Sequence, residues 1–212
     1  VVITAECIEK MCTILKNKQE EYGKEIFLIA DEPYRELVYD DVDVPYLMNY
    51  YDNTIVCYSY SKSLSLPGER IGYIAVSDRA KDWNLIYASI CGAGRALGYV
   101  CAPSLFQQVI SRCIGQTSDV NVYKKNRDLL YEALTGYGYR CIKPDGAFYL
   151  FVEALEPDAA AFAEKAKEFE LLLVASDSFG TSGFVRISYC VSTAQIEVAL
   201  PAFQKLAEAY HE

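Results

Sequence analysis

The sequence predicts an α/β fold, and three observations carry that prediction. Short apolar runs without polar alternation, at residues 26–30 and 54–60, stop abruptly at polar groups, the pattern of strands buried on both faces of a parallel sheet. Stretches with apolar residues at helical spacing lie before and after them. Past Gly136 the rhythm changes to short strands and turns. We therefore expect part of a large, mostly parallel sheet domain with one antiparallel strand over residues 1–117. A small C-terminal α+β domain is expected over residues 118–212.

In chain order, Thr4 is the expected N-cap of a first helix. Glu6 sits in its first turn, Ile8, Met11, Cys12 and Leu15 form its apolar stripe, and Gly23 closes it. The strand at 26–30 ends at Asp31, and the strand at 54–60 ends at Ser61 and Lys62. A third strand, 70–76, follows the turn Leu66-Pro67-Gly68-Glu69. The link between the second and third is too short for a helical crossover, so the third is expected to run antiparallel to the second. Helices are expected at 78–91, 103–115 and 120–134. Residues 139–142 and 147–152 flank the turn Lys143-Pro144-Asp145-Gly146 and read as a hairpin. A helix from Asp158 behind Pro157, strands at 171–174 and 184–189, and a final helix complete the chain. Ser192 and Gln195 have capping-box spacing, and Pro201 is expected to kink the final helix.

Composition excludes several classes. The chain has 212 residues, 52% hydrophobic and 23% charged, so it is neither disordered nor fibrous. Its net charge of −9 speaks against nucleic acid, whose binding draws on clustered Lys and Arg. A single histidine, His211, leaves no Ser-His-Asp or Cys-His hydrolase and no histidine-rich metal site. The eight cysteines lack the close spacing of zinc or redox motifs and mostly sit in apolar runs, so buried reduced thiols are expected. There is no basic-then-apolar leader and no apolar run near the ~18 residues of a membrane helix. A cytoplasmic protein without a membrane partner is the expectation. The first residue is Val1 and a helix begins almost at once, so we expect a fragment of a longer protein.

In open α/β sheets, ligands bind beyond the carboxyl ends of the strands. The first run delivers Asp31 and then Tyr34; the second delivers Ser59, Ser61 and Lys62; Arg70 follows the Pro-Gly turn. A desolvated lysine loses its proton more readily, and the free amine adds to aldehydes. Serine hydroxyls and a guanidinium suit a phosphate dianion. A separate carboxylate holds a proton on a pyridine nitrogen and makes that ring an electron sink. Together these groups describe a site for pyridoxal 5'-phosphate. Singly, each has a structural use, as a solvated lysine or a turn aspartate.

The segments Ser59-Tyr60-Ser61-Lys62 and Leu66-Pro67-Gly68-Glu69-Arg70-Ile71-Gly72-Tyr73 resemble the cofactor-lysine region of class I/II aminotransferases. These are the aspartate aminotransferase-like, fold-type I pyridoxal phosphate enzymes. Asp31-Glu32-Pro33-Tyr34 resembles that family's Asp-Glu-x-Tyr segment, and Lys143-Pro144-Asp145-Gly146-Ala147-Phe148-Tyr149 its small-domain hairpin. Ser178-Phe179-Gly180 and Phe184-Val185-Arg186-Ile187-Ser188-Tyr189 resemble the segment that carries its substrate arginine. All stand in the family's order and span essentially the whole chain.

The resemblance implies a role for each residue. Lys62 would hold the cofactor covalently and, once displaced by substrate, move the substrate's proton. Asp31 would pair with the ring nitrogen, and Tyr34 would hydrogen-bond the ring oxygen. Ser59, Ser61 and Arg70 would hold the phosphate, and Arg186 would clamp the substrate α-carboxylate. It further implies amino acid and 2-oxo acid substrates, a homodimer, and a pyridoxal-phosphate-binding large domain over 1–117. The family's glycine-containing phosphate loop, its ring-stacking aromatic and its Asn-Pro motif are not in this sequence. The fragment alone is therefore expected to bind cofactor poorly and to associate with itself through bare apolar surface. A β-lyase on the same lysine chemistry and an aminotransferase-like regulatory domain are the alternative functions.

Overall fold

The computed structural model describes residues 2–210, so the expectation placed on His211 lies outside the described residues. The chain divides into two compact units, one ending at Ser118 and the other beginning at Asp119.

The first unit opens with α1 (Ala5–Tyr22). Thr4 Oγ1 accepts from the Cys7 amide at 3.3 Å, and Gly23 closes the helix with φ +61°, a left-handed conformation that costs glycine little. Ile8 and Cys12 bury their stripe with Tyr51, flanked by Leu15, Leu28, Leu47 and Tyr50. Gln19 anchors the helix end: its Oε1 accepts from Tyr51 at 2.7 Å, Asn53 at 3.0 Å and the Ile26 amide at 2.9 Å.

The sheet here has the order β1-β2-β3, from β1 (Leu28–Asp31), β2 (Thr54–Ser59) and β3 (Gly72–Val76). β1 and β2 are parallel, and β3 is antiparallel to β2, as the short connection requires. Ala30, Val56 and Tyr58 are buried on one face. The strands are not buried on both faces as expected: alternation puts Ile29 and Ile74 on the other face, where they are 65% and 49% exposed.

After β2 comes a four-residue helix, α2 (Tyr60–Ser63), so the strand ends one residue earlier than the expected Tyr60. Helix α3 (Trp83–Ala96) starts later than residue 78. Turns closed by Ala80 N to Ser77 O and Trp83 N to Ala80 O fill the gap, and Asp82 at φ +54° cannot sit inside a right-handed helix. Although strongly apolar, α3 buries none of its residues; Trp83, Leu85 and Tyr87 are exposed, as are Leu97, Tyr99 and Val100 beyond it. α4 (Ser104–Cys113) follows.

The second unit places a sheet of order β4-β6-β5, with β4 (Tyr149–Glu153), β5 (Val174–Ala175) and β6 (Phe184–Ser188), all antiparallel. Its inner face, Leu150, Val152, Val185 and Ile187, belongs to a core shared with Leu130 and Leu134 of α5 (Val120–Gly136), Phe162 of α6 (Ala159–Lys167) and Leu206 of α7 (Thr193–Glu208). Asp158 caps α6 through the Ala160 and Ala161 amides, and Ser192 with Gln195 forms the full capping box of α7, which runs through Pro201 to Glu208.

Two expected strands are shorter than the sequence suggested. The first arm of the hairpin reduces to a single bridge, Cys141 with Val152, beside the Glu153 N to Arg140 O bond of 2.8 Å. Leu171 is drawn instead into the end of α6, its amide bonded to Ala166 O after Glu170 at φ +60°, so strand pairing starts only at Val174. The cysteines also depart from expectation: all eight are free, but only Cys12 is buried, and Cys7, Cys91, Cys101 and Cys190 are exposed. Cys91 and Cys101 lie on and beside α3, whose apolar sequence is not buried. Among the described residues no helix is long and apolar enough to cross a membrane, and no cluster of His, Cys, Asp or Glu is arranged to hold a metal.

Candidate active site

The parallel register of β1 and β2 sets the geometry of the first unit's polar groups. Asp31 lies opposite Cys57, so Asp31 and Ser59 share one face at the carboxyl end of the parallel pair. Asp31 is exposed there. Burial, and secondarily the Asp31 carboxylate, push the Cys57 thiol above its ordinary range.

β2 ends at Ser59, whose extended backbone caps α2. Its Oγ accepts from the Ser61 amide at 3.2 Å and lies 2.6 Å from Ser61 Oγ. Ser61 and Lys62 therefore stand on a helical turn and not on the strand. The Lys62 ammonium lies 5.8 Å from the centre of the Tyr34 ring. Tyr34 is presented by a turn in which Arg35 N bonds Glu32 O and Leu37 N bonds Tyr34 O. Asp31, Tyr34, Ser59, Ser61 and Lys62 thus gather at the ends of two adjacent strands.

Arg70 is placed differently. Its backbone is left-handed at φ +52°, and its Nη1 donates to Pro67 O at 2.7 Å within its own turn. No hydrogen bond joins it to Ser59 or Ser61 among the described residues. Two positions on, Gly72 pairs with Ser59, and a Cβ at Gly72 would stand 2.3 Å from Tyr58 O. Only glycine permits that approach.

In the second unit, Arg186 lies opposite Phe151 and projects from the outer face of the sheet. Its guanidinium is sandwiched between two rings, 4.4 Å from the centre of Tyr149 and 4.4 Å from that of Phe179. Phe179 ends a 3-10 turn, Ser176–Phe179, closed by Gly180 at φ +78°. The stacked faces fix the guanidinium plane and leave its edge to donate, the geometry that receives a carboxylate on two bonds.

Sequence reasoning missed several groups that hold these side chains in place. Glu32 and Arg35 form a half-buried ion pair at 2.9 Å, and Arg35 also donates to Val44 O and Pro45 O, which fixes the loop after Tyr34. The Tyr58 hydroxyl donates to Glu36 Oε2 at 2.8 Å and lies 2.8 Å from Ser63 Oγ; burial pushes its pKa above the ordinary phenol range. In the second unit Asn126 donates to Tyr189 O and Val191 O and accepts from Thr193. Arg127, 2% exposed, pairs with Asp128 and donates to Pro144 O. Asn126 and Arg127 are polar residues inside α5, whose burial its apolar spacing does not announce; the Lys-Asn-Arg-Asp run at 125–128 was their only trace in the sequence.

The α/β scaffold is that of a known class of enzymes. The chain belongs to the family described as aminotransferase class I and II, which it matches over residues 5–203. It is similar to a solved structure of an amino transferase from Eubacterium rectale, at 61% identity and TM-score 0.95, over 99% of this chain and 52% of that one. It also resembles a probable aspartate aminotransferase of Methanocaldococcus jannaschii, 31% identical over 89% of this chain and 51% of the relative. The aspartate aminotransferase of Thermotoga maritima shares the fold, with TM-score 0.83 at 24% identity over 98% of this chain and 53% of that one. The chain spans about half the length of the curated relatives it matches.

Proposed function

We propose that the protein carrying this chain is a pyridoxal-phosphate-dependent aminotransferase that moves an amino group from an L-amino acid to a 2-oxo acid. The observation that carries this reading is the gathering of Lys62, Tyr34, Ser59, Ser61 and Asp31 at the ends of one parallel strand pair, within a chain of the aminotransferase family. The donor set fits the cofactor. Two hydroxyls 2.6 Å apart suit a phosphate, an exposed carboxylate on the same sheet face suits a protonated ring nitrogen, and a phenol beside the lysine suits the ring oxygen. When bound, the cofactor supplies an aldehyde carbon to the amine and an electron sink for the substrate's Cα bond.

Within that reading Lys62 Nζ is the attachment point and later the base that takes and returns the Cα proton. Asp31 keeps the ring nitrogen protonated, and Tyr34 donates to the ring oxygen. Ser59 and Ser61 bind the phosphate, joined by Arg70 once it leaves Pro67 O. Arg186, its plane fixed by Tyr149 and Phe179, holds the substrate α-carboxylate. We assign residues up to about 117 to the large cofactor-binding domain and the rest to the small domain. The bare apolar surface of α3, with Trp83, Leu85 and Tyr87 exposed, supports burial against the rest of the protein and a second copy in a homodimer.

The test is trapping in the whole protein: incubation with pyridoxal 5'-phosphate, borohydride reduction and peptide mapping, together with product analysis on an amino donor and a 2-oxo acid. Label on Lys62 and a new amino acid are expected. Label on another amine overturns the assignment of Lys62, and release of ammonia with pyruvate in place of a new amino acid overturns transfer in favour of a lyase.

A further inference from the structure

Tyr58 is buried, and its hydroxyl stands between the turn that presents Tyr34 and the lysine helix. On one side it donates to Glu36 Oε2 at 2.8 Å; Glu36 belongs to the turn that presents Tyr34. On the other it lies 2.8 Å from Oγ of Ser63, a residue 1% exposed and next to Lys62 on α2. Tyr58 itself is held by stacking on Tyr73, with ring centres 5.0 Å apart, and by the edge of Tyr60 at 5.1 Å. α2 is only four residues long and has little helical stability of its own. Its orientation rests on Ser59 at one end and Ser63 at the other, the latter also fixed where its carbonyl accepts from the Ser118 amide.

We propose that Tyr58, with Glu36 and Ser63, is a positioning unit that sets the Lys62 amine against the Tyr34 ring. The phenol ties the Tyr34 turn to the lysine helix through two side-chain hydrogen bonds, and so supports the 5.8 Å contact between Lys62 Nζ and that ring. Contact with the ring holds the amine in place and slows its reaction with electrophiles. This role rests on the reading of Lys62 as the reactive amine of an aminotransferase, but the geometry is independent of any cofactor.

The experiment uses the whole protein that carries this chain, without added cofactor. Carbamylation by cyanate is followed at Lys62 and at exposed Lys81 as internal reference, by peptide mass. In Tyr58→Phe the Lys62 rate relative to Lys81 is expected to rise by about threefold, the size of a lost cation–π contact. Ser63→Ala, which removes one arm and spares the Tyr58 ring packing, is expected to give a smaller rise, and serves if Tyr58→Phe does not fold. Glu36→Gln, whose amide oxygen still accepts from the phenol, is expected to keep the wild-type ratio. A ratio unchanged in both Tyr58→Phe and Ser63→Ala overturns the proposal, as does a rise in Glu36→Gln equal to that in Tyr58→Phe. With cofactor and substrates, Tyr58→Phe is expected to lower kcat with KM unchanged; KM rising in step with no change in kcat also overturns it. Absence of amino transfer in the wild type would sink the aminotransferase reading while leaving the cyanate result to stand or fall alone.

Discussion

Replacing Asp128 by Asn removes one charge from a network that fixes the turn leading into β4. Arg127 reaches Asp128 Oδ1 through Nε at 2.9 Å and Nη2 at 2.8 Å, while its Nη1 donates to Pro144 O at 2.9 Å. Lys143 approaches the same carboxylate oxygen at 2.8 Å. Asn keeps the shape and a neutral acceptor, so the change is the difference between charge-assisted and neutral bonds, about 1–1.5 kcal/mol for the buried Arg127. Lys143, 41% exposed, adds at most about 0.5 kcal/mol. The expected loss at pH 7 is therefore about 1–2 kcal/mol.

The same network gives the loss a pH signature. Burial alone raises the Asp128 carboxyl, but the hydrogen bonds and charges of Lys143 and Arg127 outweigh it and hold it below the ordinary 3.8. A depressed carboxylate contributes its stability above the unfolded value and loses it as pH falls through the folded one. The difference between wild type and Asp128→Asn should thus be flat from pH 7 to pH 5 and shrink below about pH 4. Native-state hydrogen exchange at the buried Leu150 and Val185 amides, in urea series at several pH values, reads it directly. A difference under 0.5 kcal/mol at pH 7, about the level of an exposed pair, refutes the network argument. One that persists at pH 3 refutes the charge argument.

Two further outcomes follow from single contacts. Gly72→Ala drives a methyl to 2.3 Å of Tyr58 O and should destabilise the β2–β3 pairing by about 1–3 kcal/mol, seen as a lower urea midpoint; an unchanged midpoint would mean β3 moves away freely. Phe179→Leu strips one face from the Arg186 sandwich and, on the proposed role of Arg186, should raise KM for the amino donor of the whole protein about fivefold with kcat nearly unchanged, whereas Phe179→Tyr should leave it unchanged. An equal effect of both substitutions would show that the ring face is irrelevant.

Much of this molecule is written locally. Thr4 and Gly23 bound α1, Ser192 and Gln195 start α7, and the short connection from β2 to β3 goes with their antiparallel pairing. The candidate residues Asp31, Tyr34, Ser59, Ser61, Lys62 and Arg186 were also legible, because strand ends and family segments mark them in one dimension. Their standing as a site remains a proposal that the trapping experiment decides.

What the sequence determined by itself was the set of elements and the chemical types at their ends, since caps, turns and periodicity act over a few neighbouring residues. Only the tertiary structure decided which polar residues are buried and shared. Tyr58 meets Glu36 and Ser63 across 22 and 5 positions, and Asn126 meets Tyr189 and Val191 across 63 and 65. It also decided that Ile29 and α3 stay bare, and that Arg70 turns onto Pro67. The reason is physical: whether an apolar face is covered, or a buried donor finds its acceptor, depends on segments distant in the chain, and no local pattern carries that distance.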